Sequence, residues 1–334
     1  MKKGVWTALL AGAGMGLLIL DGGTALRGAR EGIQMCLYTV LPTLFPFFVL
    51  SGLLTGAIRE TSWRGFRALE RFCRMPQGSG QVFALGLLGG YPTGARCVHQ
   101  LWDDGQLDKK DAQRMLGFCS NAGPSFLFGI CGELFPGIGA AWALWGCHIL
   151  SALMVARMLP GGPTSGSLRL RASSVTVTEA LAQAVKTGGL VCGWVVLFRV
   201  LLAFVGKWLP WELPLISGAL ELTNGCLALG RVTSPGSRFV LCGVFLGLGG
   251  LCVGLQTASV VGALGTRWYW KGKLLQGLWS LMLCSGVQYF LFSPGDRAPG
   301  WGMLLAISGG ILAVFAFRFK KRRKICSNSG AYGV

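Results

Sequence analysis

Glu221 lies in an otherwise apolar run and is followed by Thr223, Asn224 and Gly225. A carboxylate in such a run is costly unless it faces a protein interior or a wet cavity, so it marks an ion or substrate path. Two cations stand in comparable surroundings. Arg199 is central in Phe198-Arg199-Val200, and Arg96 follows Gly89-Gly90-Tyr91-Pro92-Thr93-Gly94-Ala95. Either could neutralise Glu221 or meet an anionic ligand, and the sequence does not choose between them. Gln256 closes a second glycine-rich stretch, Gly249-Gly250-Leu251-Cys252-Val253-Gly254-Leu255, and adds an amide. A third interruption, Ser120-Asn121-Ala122-Gly123-Pro124-Ser125, adds another. These residue types suit binding. No Gly-x-Ser-x-Gly elbow, phosphate-cradling Gly-x-x-x-x-Gly-Lys loop or His-Glu-x-x-His pair occurs, so an enzyme would lack a named nucleophile.

The elements that must position these groups are helices, and the three interruptions fall where a helix should continue. Lipid offers no hydrogen bonds, so broken backbone survives at membrane depth only if protein buries it or it lines a wet cavity. Interruptions in corresponding halves of a chain point to a transporter's binding site. Glycine and proline also serve close helix packing; the repetition of the breaks favours a site. A broken helix presents unpaired N–H groups and a positive dipole end, which together can hold a carboxylate. Candidate ligand-binding residues are therefore Tyr91, Thr93, Gly94, Arg96, Asn121, Gly123, Ser125, Arg199, Glu221, Thr223, Asn224 and Gln256.

Composition fixes the class. Of 334 residues, 52% are apolar and 13% charged, against about a quarter charged in a soluble domain. Several apolar runs reach the roughly 20 residues that cross a bilayer. Long continuous runs without period-two alternation disfavour a β-barrel. The expected fold is an all-α polytopic membrane protein of about 8–10 membrane segments, in two repeats of probable inverted relation, with broken or re-entrant helices.

The formal charge of +18 gathers at Arg59–Arg74, Arg157–Arg171, Arg267–Lys273 and Arg318–Lys324. That distribution fits inner loops and lipid headgroups, and no stretch interleaves aromatics with bases as a nucleic-acid groove would. The twelve cysteines form no Cys-x-x-Cys and sit mainly in apolar segments, where thiols act as small hydrophobes; no metal, redox or cofactor site is expected. His99 and His148 are the only histidines, each expected to be structural.

Along the chain, residues 1–26 read as a retained N-terminal membrane helix, 27–159 as a first repeat, 160–175 as a Gly/Pro/Ser linker, 176–319 as a second repeat and 320–334 as a basic cytoplasmic tail. Pro42 and Pro46 should kink or break their helix. Gly89–Ala95 and Gly249–Leu255 are expected to be corresponding re-entrant elements, with Arg267–Lys273 in an inner loop. Strict inversion needs the two hairpins to enter from opposite faces, which this topology does not deliver.

Leu41-Pro42-Thr43-Leu44-Phe45-Pro46-Phe47, Gly90-Tyr91-Pro92-Thr93-Gly94-Ala95, Asn121-Ala122-Gly123-Pro124, Glu221-Leu222-Thr223-Asn224-Gly225 and Gly249–Gln256 occur in one order. Over roughly residues 27–320 they resemble the YlbJ-type sporulation integral membrane proteins, which carry nucleoside-recognition (Gate) domains. The resemblance implies an endospore-forming bacterium and a fold distantly similar to concentrative nucleoside transporters. It also implies movement of dipicolinate, a flat aromatic dianion, from the mother cell across the outer forespore membrane. Two half-helix N-termini with Arg96 or Arg199 would then meet its carboxylates, and Tyr91 would stack on its ring. Arg199 departs from the small or apolar residue expected at its position. Alternatives are a nucleoside or related heteroaromatic solute, or a non-transporting scaffold for spore cortex or envelope assembly. Membrane lipids are the other expected partners; the coupling ion and oligomeric state stay open.

Overall fold

The computed structural model describes residues 2–60, 64–135, 137–161, 175–208, 214–297 and 309, and they are helical with no strand among them. The helices are α1 (Lys2–Leu20), α2 (Gly22–Met35), α3 (Leu41–Glu60), α4 (Arg64–Cys73), α5 (Gly80–Gly89), α6 (Thr93–Asp103), α7 (Lys109–Cys119), α8 (Pro124–Phe126), α9 (Ile138–Met158), α10 (Val177–Trp208), α11 (Pro214–Leu220), α12 (Leu222–Ala228), α13 (Pro235–Leu248), α14 (Gly250–Val261) and α15 (Arg267–Leu291). Five stretches of the described residues are long and apolar enough to cross a membrane: Gly22–Leu54, Ile138–Met158, Val177–Lys207, Pro235–Leu264 and Arg267–Leu291. Ala11–Leu20 and Gly80–Gly89 are shorter apolar helices. Large apolar side chains such as Leu20 and Phe290 stand exposed, as helices solvated by lipid tails allow. The end of the second repeat, most of the linker and the basic tail lie outside the described residues.

Local chemistry sets several boundaries. Asp108 caps α7 by accepting from the Asp111 amide at 2.7 Å, and Ser234 caps α13 through the Ser237 amide at 3.2 Å, with Pro235 at its first turn. The break expected at Pro42 and Pro46 does not occur. α2 passes through a π-helical turn, Cys36–Val40, into α3, which retains Pro46 internally. That wider turn lies just where the Pro42 ring would otherwise meet the carbonyl four residues back. α10 likewise runs as one uninterrupted helix from Val177 to Trp208.

Two hairpins and two broken helices alternate along the chain. In the first hairpin, α5 and α6 fold back on each other; a Cβ on Gly94 would come 3.0 Å from the Gly86 Cα and 1.8 Å from the Cys119 carbonyl oxygen. In the second, α11 and α12 fold back about Glu221, and a Cβ on Gly225 would meet the Gly218 Cα at 2.2 Å. Residues seven or eight apart in a continuous helix would lie more than about 10 Å apart, so the chain has reversed in both. The first broken helix is α7, the extended Ser120–Gly123 segment and α8. The second is α13 and α14, separated at Gly249 and Gly250, both with φ +75°.

This corrects the expected pairing of the glycine motifs. Gly89–Ala95 is a hairpin tip, whereas Gly249–Leu255 is a helix break: α13 lies along α15 while α14 lies against α6 and α11. The chain reverses at both Gly89–Ala95 and Glu221, whereas Ser120–Gly123 and Gly249 interrupt helices.

α15 is the central post, packed on α7, α9 and α13. One apolar cluster joins it to α5, α6 and α7, and another joins it to α12 and α13. Arg114 of α7 is buried beside the first cluster. Its guanidinium donates to the carbonyls of Cys73 (2.6 Å), Arg74 (2.8 Å) and Ala156 (2.9 Å). It thereby satisfies acceptors that the ends of α4 and α9 leave free.

Candidate substrate cavity and its supporting network

Each hairpin tip rests on a break. A Cβ on Gly123 would lie 3.0 Å from the Gly90 Cα, so the first tip contacts the Ser120–Gly123 segment, backbone to backbone. A Cβ on Gly250 would lie 3.0 Å from the Gly218 carbonyl oxygen, placing the second hairpin against the second break. Between them is a cavity of ≈ 60 Å³, walled by Gly90, Tyr91, Gly123, Ser125, Glu221, Thr223 and Gln256 among others. Groups from three interruptions thus share one wall, together with Gln256 from the helix after the fourth.

Glu221 is 3% exposed, and its carboxylate closes the N-terminus of α12. It accepts from the amide of Thr223 at 3.0 Å, the amide of Asn224 at 2.7 Å and Asn224 Nδ2 at 2.9 Å. This cap satisfies orphan donors and sets a negative group at a positive helix end. The α12 terminus is therefore occupied by the protein's own carboxylate, which corrects the picture of that half-helix as a free receptor for a substrate anion. Gln256 donates to Cys252 Sγ at 3.2 Å across one turn of α14.

Behind the Tyr91 wall lies a network that sequence reasoning missed. Lys273 of α15 is 1% exposed. It donates to Tyr91 Oη at 3.3 Å, to Gln276 Oε1 at 2.7 Å and to the Ser120 carbonyl. Gln276 donates onward to Asn121 Oδ1 at 3.0 Å, and Asn121 donates to the Phe118 carbonyl at 2.7 Å. Tyr91 donates to the Leu246 carbonyl at 3.0 Å, an acceptor left free where α13 ends. The Ala122 amide donates to His148 Nε2 at 3.2 Å, so His148 is structural at that nitrogen. Among the described residues no carboxylate pairs with Lys273. It is no part of an inner basic loop; it fastens the first tip and the first break to α15.

A signal for it exists in the sequence. Lys273, Gln276, Ser280, Cys284 and Gln288 recur at spacings of three and four, one face of a helix, and all are buried.

The other predicted residues divide. Asn121 is buried in the network rather than on the cavity wall, Asn224 serves Glu221, and Gly94 is a packing residue of the first hairpin. Thr93 and Arg96 line a different space of ≈ 340 Å³, on the other side of the tip, with Glu179, Gln183 and Thr187. Phe48 contributes to both cavities. Arg199 joins neither. It pairs with Glu31 of α2 at 2.6 Å, which binds α10 to α2. Nearby Lys207 bonds Asp21 at 2.6 Å and, with the Thr24 donors, holds that carboxyl down at about 2.

Long apolar helices, two hairpins and two broken helices meeting at a buried polar centre define a multi-pass α-helical membrane protein. The chain is 24% identical over 308 residues, covering 77% of its length and 76% of the relative's, to the sporulation integral membrane protein YlbJ of Bacillus subtilis (strain 168). The chain is similar to that protein over most of both lengths. No family model matches the chain. No solved structure matches it.

Proposed function

We propose that the chain is a transporter of a small anionic metabolite, and not an enzyme, with dipicolinate moved from mother cell to forespore as the first substrate to test. The observation that carries this reading is the shared cavity at the meeting of two hairpin tips with the breaks. Non-helical backbone at membrane depth is expected to line such a path. Sporulation comes from the relative's name, and dipicolinate from the family resemblance. Placement in the outer forespore membrane with a cytoplasmic C-terminus belongs to the same proposal.

The volume bears on the state. A cavity of ≈ 60 Å³ falls below the roughly 300 Å³ of a ligand pocket, so in this conformer it is too small for such a solute. The ≈ 340 Å³ space holding Arg96 is large enough to receive a solute on its way in. Loading then requires the tips to part. The two repeats of this mechanism are hairpin plus broken helix, residues 80–134 and 214–264. Glu221 on the wall adds a chemical condition. An anion beside that carboxylate is repelled unless a proton or metal cation enters with it. A neutral heteroaromatic solute meets no such repulsion and finds an acceptor in Glu221, which favours a nucleoside as the second reading.

Uptake of labelled dipicolinate and labelled nucleosides into proteoliposomes, with and without a proton or sodium gradient, tests both. Saturable dipicolinate flux that depends on a cation gradient is the expected result. Saturable nucleoside flux alone would move the assignment to the second reading. Absence of saturable flux for either, from folded reconstituted protein, would sink the transport proposal in favour of a scaffold.

A further inference from the structure

Three thiols far apart in sequence meet in the second half of the molecule. Cys131 ends a π-helical turn (Leu127–Cys131) after α8, Cys226 lies on the outer arm of the second hairpin, and Cys242 lies on α13. Their sulfurs all lie within 4.8 Å of one another, with Cys131 and Cys226 at 3.9 Å. All three residues are fully buried, among apolar neighbours that include Leu127, Ile130, Leu222, Leu229 and Phe239. They are unbridged.

We propose that Cys131, Cys226 and Cys242 form a three-coordinate site for a soft monovalent metal ion, Cu(I). A metal–sulfur bond of about 2.3 Å places three sulfurs around one ion about 4 Å apart, the spacing already present between Cys131 and Cys226. Rearrangement is therefore confined to small side-chain movements. The donor set selects the ion: thiolates favour Cu(I), zinc and iron–sulfur centres, but structural Zn(II) is closed by four ligands. This cluster supplies three sulfurs. Thiolates are the ligands, so loading one ion on all three sulfurs releases three thiol protons, and affinity should rise with pH. A π-turn in front of Cys131 is of the kind that recurs at functional sites. Once bound, the ion ties the arm of the second hairpin to α13 and to the helix after the first break, independently of what the cavity carries.

Ordinary packing makes a different prediction, because buried thiols that act only as small hydrophobes bind no metal stoichiometrically. The test is anaerobic titration of the purified full chain, in detergent with reductant, with Cu(I) in competition with a chromophoric Cu(I) chelator. One Cu(I) per chain is expected. Affinity should fall at least about tenfold in Cys226→Ala and in Cys242→Ser, a loss of one of three ligands, and stay unchanged in Cys73→Ala. Metal-free thermal unfolding of each variant separates lost ligation from lost fold: Cu(I) should raise the midpoint of the parent and of Cys73→Ala, and not of the other two. Failure of the parent to compete with the chelator overturns the proposal. Stoichiometric binding that persists in folded Cys226→Ala also overturns it, and so does retention of Zn(II) in preference to Cu(I).

Discussion

The two hairpins differ in how they are tied to the rest of the molecule. Each turns back inside apolar surroundings, so each must satisfy the backbone groups its tip exposes. The first tip bonds its Gly89 and Gly90 carbonyls through Thr93 and is also held from outside: Tyr91 bonds a carbonyl of α13, and Lys273 and Gln276 of α15 secure the adjoining break. The second is satisfied from within, by Glu221 closing its own helix. A hairpin that carries its hydrogen bonds can shift without breaking them, whereas the first would leave buried donors and acceptors unpaired. Leaving such groups unmet costs about 1–3 kcal/mol each. The second hairpin is thus the cheaper one to move, and the first, with α15, is the frame.

The comparison can be broken at four places. The largest effect is expected at Gly94→Ala, whose methyl would meet the Cys119 carbonyl at 1.8 Å. Backbone cannot yield as a flexible side chain can, so a loss at the upper end of about 1–3 kcal/mol is expected, measured as a lower unfolding midpoint in detergent. A midpoint equal to the parent's would show that the hairpin arms are not in contact. Lys273→Ala removes the donor shared by Ser120, Gln276 and Tyr91 and should cost about 2–3 kcal/mol. Hydrogen exchange should then rise at the first tip and leave the second untouched; equal rises at both would abolish the distinction drawn here.

Glu221→Ala removes an N-cap and should cost about 1–2 kcal/mol, with faster exchange confined to the amides of Thr223 and Asn224. Glu221→Gln keeps one acceptor oxygen and should lie between Ala and the parent. Spread of the effect to residues 118–123 would mean that the second tip is not self-contained. Smallest is Arg199→Gln. Its partner Glu31 is substantially exposed, so no more than about 1 kcal/mol is at stake, and substrate KM in the uptake assay should not change. A large KM rise would bring Arg199 back to the substrate path.

Legibility in the sequence followed the range of the interaction. Glu221 was visible because a carboxylate in an apolar run needs a reason, and the three interruptions because Gly, Pro and Asn disrupt a helix locally. The pairing of those breaks was not visible. Gly89-Gly90 and Gly249-Gly250 look alike as strings, yet one lies at a reversal and the other at a bend, and only neighbouring helices distinguish these. Lys273 was read with Arg267 and Lys271 as one basic loop, because charge density was weighed without helical phase. Its face, continuing through Gln276, Ser280 and Gln288, held the better signal. Arg199 stood out for the right reason, a charge among apolar residues, but its partner lies 168 positions away on α2.

By itself the sequence determined the class of molecule: helical, membrane-spanning, interrupted at three places, with a carboxylate in a further apolar run. Those are properties of composition and local propensity, fixed wherever the chain goes. The tertiary structure decided which interruptions are tips and which are bends, that Glu221 closes its own helix and that Lys273 secures the first break. It also gathered Cys131, Cys226 and Cys242 at one point. Each depends on helices distant in sequence lying side by side, and no local pattern encodes a contact whose two halves are folded together only by the packing of the whole.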